Sequence, residues 1–144
     1  MRTSIGTDPI VKEIRIEARP ETVFAFFTEP EKMTRWLCSA ATVDLHPGGV
    51  YDQTHTSDAG VDYHLESRFV EVEPPHRLLF TWKFATGTPE ERAVTSTVEV
   101  TFEPDGDGTF VRLVHRDVPE GLHADHDAGW SALFGRLERL LAAV

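Results

Sequence analysis

Two side chains carry the strongest hint of chemistry, Tyr63 and His115. Each lies in an alternating segment whose same-parity neighbours are mostly apolar: Val61, Leu65 and Phe69, with Ser67 among them, beside Tyr63, and Val111 and Leu113 beside His115. Residues two apart on a strand share a face, so both side chains should point inward. A buried imidazole, with an unperturbed pKa of about 6.5, could orient a ligand or move a proton. The phenol would offer a second hydrogen bond. The competing reading of His115 is a core histidine whose ring nitrogens are satisfied by protein partners.

His123, Asp125, His126 and Asp127 form the densest ionisable cluster. His123 and His126 are spaced i, i+3 and could reach one metal ion. They are not the i, i+4 pair flanking a glutamate that a zinc-protease helix uses, and acidic residues at a helix start answer the helix dipole. Cys38 is the only cysteine. With only Arg35 nearby to lower its pKa, it reads as a small core residue and not a nucleophile. Gly48-Gly49 and Gly106-Asp107-Gly108 read as turns, not phosphate loops, and no Ser-His-Asp signature stands out. We therefore assign no catalytic residue, no metal and no cofactor.

The elements that must hold these residues are mostly strands. Ile10 to Ala18 alternates apolar and charged positions, as a half-buried strand does. Pro20 suits a helix start, and Val23, Phe24, Phe26 and Phe27 make that helix apolar. Glu29-Pro30 interrupts it, and Pro30 can open a second short helix through Met33, Trp36 and Leu37. Strands are expected at 41–45, 50–56, 61–73, 77–84, 94–102 and 109–118, with proline- and glycine-rich turns between them. The polar stretch Thr86 to Arg92 reads as a mobile lip. From Leu122 to Val144 one amphipathic helix carries Trp130, Leu133, Phe134, Leu137, Leu140, Leu141 and Val144 on a single stripe. Gly129 reads as a point where that helix approaches the sheet closely. Short turns between successive strands imply an antiparallel meander, and the helix stripe must be buried against it.

The expected architecture is thus α+β, a curved antiparallel sheet wrapped around a long C-terminal helix, with two short helices after the first strand. Residues 1–9 read as a flexible leader and 10–144 as a single domain. Met1 to Pro9 carries no apolar stretch of the signal-peptide kind, and we expect a cytoplasmic protein. A net charge of −10 argues against nucleic acid, whose phosphates need a basic face, and against anionic membrane surfaces. No apolar run reaches the roughly 20 residues of a membrane span, so membrane insertion is not expected.

Ordered along the chain, "ARPETVFAFFTEPEKMTRWL", "HPGGVY", "EVEPPHRLLFTWKF", "VTFEPDGDGTFVRLVHRDVP" and "HDAGWSALFGRLERLL" resemble the START-like helix-grip superfamily. More narrowly, they resemble the subfamily homologous to the activator of the heat-shock-protein-90 ATPase. The resemblance runs over roughly residues 10–144. It implies a sheet gripping the C-terminal helix, and a cavity that in relatives accepts lipophilic or aromatic small molecules. The sheet face toward the helix should carry Tyr63, Leu65, Phe69, Phe80, Trp82, Val98, Val100, Val111 and Leu113, with His115 in the same row as the last two. The helix should add Trp130, Phe134 and Leu137, and Trp36 would cap one end of the sheet, as a gate or a plug. We expect binding of a lipophilic or aromatic small molecule, with Tyr63 and His115 as its polar anchors. A polyketide cyclase- or aromatase-like enzyme using that Tyr/His pair is the alternative. A third reading is an interaction module, chaperone-linked or homodimeric, which a filled core and an exposed apolar patch would favour.

Overall fold

The computed structural model describes residues 8–142. Strand β1 (Ile10–Ile16) buries Ile10 and Ile16 and exposes Glu13 and Arg15, as its alternation predicts. Helix α1 (Pro20–Thr28) opens with proline in its first turn. It buries Val23, Phe24, Phe26 and Phe27 and stops where Glu29 turns extended ahead of Pro30. Pro30 starts α2 (Pro30–Met33), and a turn carries the chain through Trp36.

The strands β2 (Ala40–Val43), β3 (Tyr51–Thr56) and β4 (Asp62–Leu65) form one antiparallel sheet. The second sheet contains β5 (Phe69–Glu73), β6 (Arg77–Trp82), β7 (Ser96–Asp105), β8 (Gly108–Arg116) and β1, in the order β1-β8-β7-β6-β5. Backbone bonds tie the two together: Tyr51 N–H to the Ser67 carbonyl at 2.9 Å, Glu66 N–H to Lys83 at 2.9 Å, and Ala85 N–H to His64 at 2.7 Å. The single strand expected over 61–73 is therefore two, β4 and β5. At the break, side chains replace ladder partners: Asp52 accepts from Ser67 N–H and Thr81 Oγ1 from Arg68 N–H. A register shift follows between Phe69 and Glu71, which leaves Val70 exposed. Irregularities of this kind bend a sheet, and this one lies on β5, an edge strand of its sheet. The β2–β3 turn needs its glycines: Gly48 has φ +85°, and a Cβ on Gly49 would sit 2.0 Å from the Asp44 carbonyl oxygen.

The segment expected as a mobile lip contains one helical turn, α3 (Pro89–Arg92), between β6 and β7. A capping box closes it, with the Thr88 hydroxyl accepting from Glu91 N–H and the Glu91 carboxylate from Thr88 N–H. Helix α4 (Glu120–Ala142) buries Trp130, Phe134, Leu137 and Leu141, at i, i+4, i+7 and i+11. Leu133 and Leu140 are partly buried. Val144, expected on the same stripe, and residues 1–7 of the expected leader lie outside the described residues. Lys12 on β1 fixes α4 through Asp127 at 2.7 Å and the Ser131 hydroxyl at 2.8 Å. Among the described residues no helix is long and apolar enough to cross a membrane.

One end of the barrel-like space between sheet and α4 is packed solid. Phe27 lies against Trp36 and Phe102, with ring centroids 4.9 and 5.1 Å apart, and Phe24 meets Phe102 at 5.3 Å. The Trp36 indole N–H donates to the Phe26 carbonyl at 2.8 Å, and the buried Tyr51 hydroxyl donates to Phe27.

Candidate functional site

No residue of α4 before Trp130 is buried. After Leu122, which packs against the core, the helix carries small and polar side chains up to Trp130, Ala124, Asp125, His126, Ala128 and Gly129 among them, too little apolar volume to fill the space beneath them. The result is a cleft of about 450 Å³ between this part of α4 and the sheet, within the size range of small-molecule sites. Its sheet wall comes from His55 and Thr56 of β3, Tyr63 and Leu65 of β4, Trp82 of β6, and Phe84 just beyond β6. Glu91 of α3 borders it, and α4 contributes Asp125, His126, Gly129, Trp130 and Leu133. Gly129 does not mark a close approach: a Cβ there meets nothing within 4 Å, because the residue faces open space at the cleft.

The aromatic walls touch one another. Trp82 packs on Trp130 at 5.1 Å and against His55 at 5.8 Å. Phe84 meets Tyr63 at 6.4 Å and His126 at 5.9 Å. Their polar tips are unevenly served. Among the described residues Trp82 Nε1 is buried without a hydrogen-bond partner, which is costly for a donor that water does not reach. Among the described residues the Tyr63 hydroxyl also has none. His126 donates Nδ1–H to the Leu122 carbonyl at 2.9 Å, so its Nε2 is the acceptor nitrogen of a neutral ring. His55 donates Nε2–H to Gln53 Oε1 at 2.8 Å, which leaves its Nδ1 as an acceptor. Burial holds both imidazoles neutral. The His55 pKa is pushed down to about 4 by burial and by the Arg136 charge. That of His126 is also lowered, chiefly by burial.

His115 is fully buried behind this wall and is not part of the cleft lining. Trp130 Nε1–H donates to its Nδ1 at 3.0 Å. An indole can only donate, so the His115 proton sits on Nε2. That N–H donates to the Ser96 hydroxyl at 2.7 Å, and Ser96 donates to the Trp82 carbonyl at 3.3 Å. The relay locks His115 as one neutral tautomer, and burial pushes its pKa down to about 3. Its task in this geometry is to hold Trp130 and β6 in place.

Of the residues expected to line a cavity, the structure places Tyr63, Leu65, Trp82 and Trp130 on the cleft. Trp36, Phe69, Phe80, Val98, Leu113 and Phe134 are buried in the core, as are Val100, Val111 and Leu137. No hydrogen bond or ring contact joins Tyr63 to His115, so the expected anchor pair does not converge. His55, Phe84, Glu91, Asp125, His126, Gly129 and Leu133 were not among the expected lining. All but Leu133 share a signal available in sequence: each lies at or just beyond a strand end, in the Thr86–Arg92 loop or on the polar first turns of α4, where apolar filling runs out; Leu133 follows Trp130 on the helix stripe. The His123–Asp127 cluster disperses. His123 Nε2 bonds the Asp8 carbonyl at 3.1 Å, His126 bonds Leu122, and Asp127 pairs with Lys12. Cys38 is buried, and burial pushes its thiol pKa up to about 11, the opposite of an activated nucleophile.

Comparison with known proteins places this arrangement. The family model described as Activator of Hsp90 ATPase homolog 1-like protein matches residues 17–142. A protein of Mesorhizobium loti shares the fold with TM-score 0.79 and 25% identity, over 94% of this chain and 97% of that one. The AHSA1 protein of Silicibacter pomeroyi gives TM-score 0.79 and 22% identity, over 94% and 98%. DynU16, a protein of the dynemicin biosynthetic locus, gives TM-score 0.78 and 23% identity. Here 95% of this chain aligns, but it spans only 48% of DynU16. No curated protein matches the sequence.

Proposed function

The chain belongs to the Activator of Hsp90 ATPase homolog 1-like protein family, and from that premise we propose that it binds a lipophilic or aromatic small molecule in the cleft beneath the first turns of α4. The observation that carries this is the cleft itself: about 450 Å³, walled by Tyr63, Trp82, Phe84, His126 and Trp130. Apolar burial supplies most of the affinity, at about 25 cal/mol per Å² removed from water. The unpartnered Tyr63 hydroxyl and the acceptor nitrogens of His55 and His126 fix orientation. The location of DynU16 in a biosynthetic locus is in keeping with a fold that handles organic small molecules. The exposed large apolar residues give little support to an interaction module, since Val11, Leu45, Val61 and Val70 sit on separate elements, with β1 and β5 at opposite edges of their sheet.

The test is titration with N-phenyl-1-naphthylamine, a neutral aromatic dye that brightens in apolar sites, against the wild type and Gly129→Phe. The new ring projects from open space into the cleft. Saturable dye binding that Gly129→Phe abolishes, at a melting temperature no lower than that of the wild type, is the expected result. Binding that survives the substitution would place the dye elsewhere and remove the support for this reading.

A further inference from the structure

The charges around the cleft narrow the ligand class, on the binding reading given above. Two carboxylates line the cleft, Glu91 from α3 and Asp125 from α4, and among the described residues no lysine or arginine does. Among the described residues neither carboxylate forms an ion pair. Glu91 spends one oxygen on Thr88 N–H at 2.8 Å, and the other has no protein partner. The cleft's histidines add no compensating charge, because burial keeps His55 and His126 neutral. The guanidinium whose charge is felt at His55 belongs to Arg136, which donates to the Trp36 carbonyl at 3.1 Å and does not line the cleft. Around all of this the chain carries a net charge of −10, which draws cations toward it and repels anions.

We infer that the cleft selects a lipophilic organic cation, an aromatic body bearing a protonated amine, over neutral or anionic molecules of the same shape. The aromatic body packs among Trp82, Phe84 and Trp130. The ammonium meets Glu91 and Asp125 at the border and the faces of the neighbouring rings, which attract cations through their quadrupoles. A carboxylate or sulfonate in the same position would face two unpaired carboxylates with no positive partner.

Three probes that share a naphthalene body separate the possibilities by isothermal titration at pH 7.5: 1-naphthylmethylamine, 1-naphthylmethanol and 1-naphthylacetate. The ammonium should bind at least about tenfold more tightly than the carboxylate, with the alcohol between them. In the double variant Glu91→Gln, Asp125→Asn the ammonium should lose its advantage over the alcohol. Glutamine preserves the capping box, and saturable binding of the alcohol reports an intact cleft. Equal binding of alcohol and ammonium, or a carboxylate that matches the ammonium, would overturn the charge preference and leave small-molecule binding standing. Failure of all three probes to bind would remove both.

Discussion

The two ends of the space between sheet and α4 are built from the same residue types and end up as different things. At the closed end Phe24, Phe27, Trp36 and Phe102 interlock, and the polar tips are satisfied: the Trp36 N–H by Phe26, the Tyr51 hydroxyl by Phe27. At the open end Trp82, Trp130, Phe84 and Tyr63 surround a cleft, and among the described residues neither the Trp82 indole N–H nor the Tyr63 hydroxyl has a hydrogen-bond partner. Aromatic content alone therefore does not distinguish core from site. The difference lies in whether a second layer covers the rings and serves their polar atoms. The helices α1 and α2 do so at one end. At the other the overlying turns of α4 are polar and small.

The comparison breaks most sharply under truncation. Trp36→Ala should cost about 3–5 kcal/mol, the usual range for a fully enclosed aromatic, because it opens a void and orphans the Phe26 carbonyl. Trp82→Ala should cost clearly less, since one side of the ring already borders the cleft and no hydrogen bond of the indole is lost. Urea denaturation of both variants checks this, and equal costs would mean that the two ends are packed alike.

Acid should act on the open end first. His115 and His55 have folded pKa values of about 3 and about 4, below the roughly 6.5 of an unfolded histidine. Between those limits the unfolded chain takes up protons that the folded chain refuses, so stability falls as pH drops below about 6.5 and gains nothing above it. At pH 5 each of the two histidines should cost about 2 kcal/mol relative to pH 7.5. His115→Gln should flatten part of that slope. A slope unchanged by the substitution would assign the pH dependence to other groups.

The smallest effect concerns Gly129. Its Cβ would meet open space, and glycine costs a helix interior up to about 1 kcal/mol relative to alanine. Gly129→Ala should therefore raise thermal stability by up to about that amount. A loss of stability would mean that the site is more crowded than the cleft geometry has it.

The fold was legible because its signals are periodic. The alternation of β1, β7 and β8, the proline-opened helices and the stripe on α4 each specify one buried face. The lapses fell where a partner decides the outcome. The 61–73 segment alternates as one strand, yet Asp52 and Thr81 capture the backbone of Ser67 and Arg68 and split it. The row of residues facing α4 was predicted as one surface, but sequence parity carries no record of depth along the helix, so Phe80 and Trp82 looked equivalent. His115 was correctly read as inward. Its partners, Trp130 and Ser96, come from distant segments, and only the assembled sheet brings them to its two nitrogens.

The central claim is that the open end is a binding site and the closed end is core. The indole N–H resonances of a 15N-labelled sample report on both at once, since the chain has three tryptophans, one at the closed end and two on the cleft. On titration with 1-naphthylmethylamine the Trp82 and Trp130 signals should shift along a saturable curve while that of Trp36 stays fixed. Shifts at Trp36 alone, or at all three alike, would contradict the division of the molecule into a filled end and an open one.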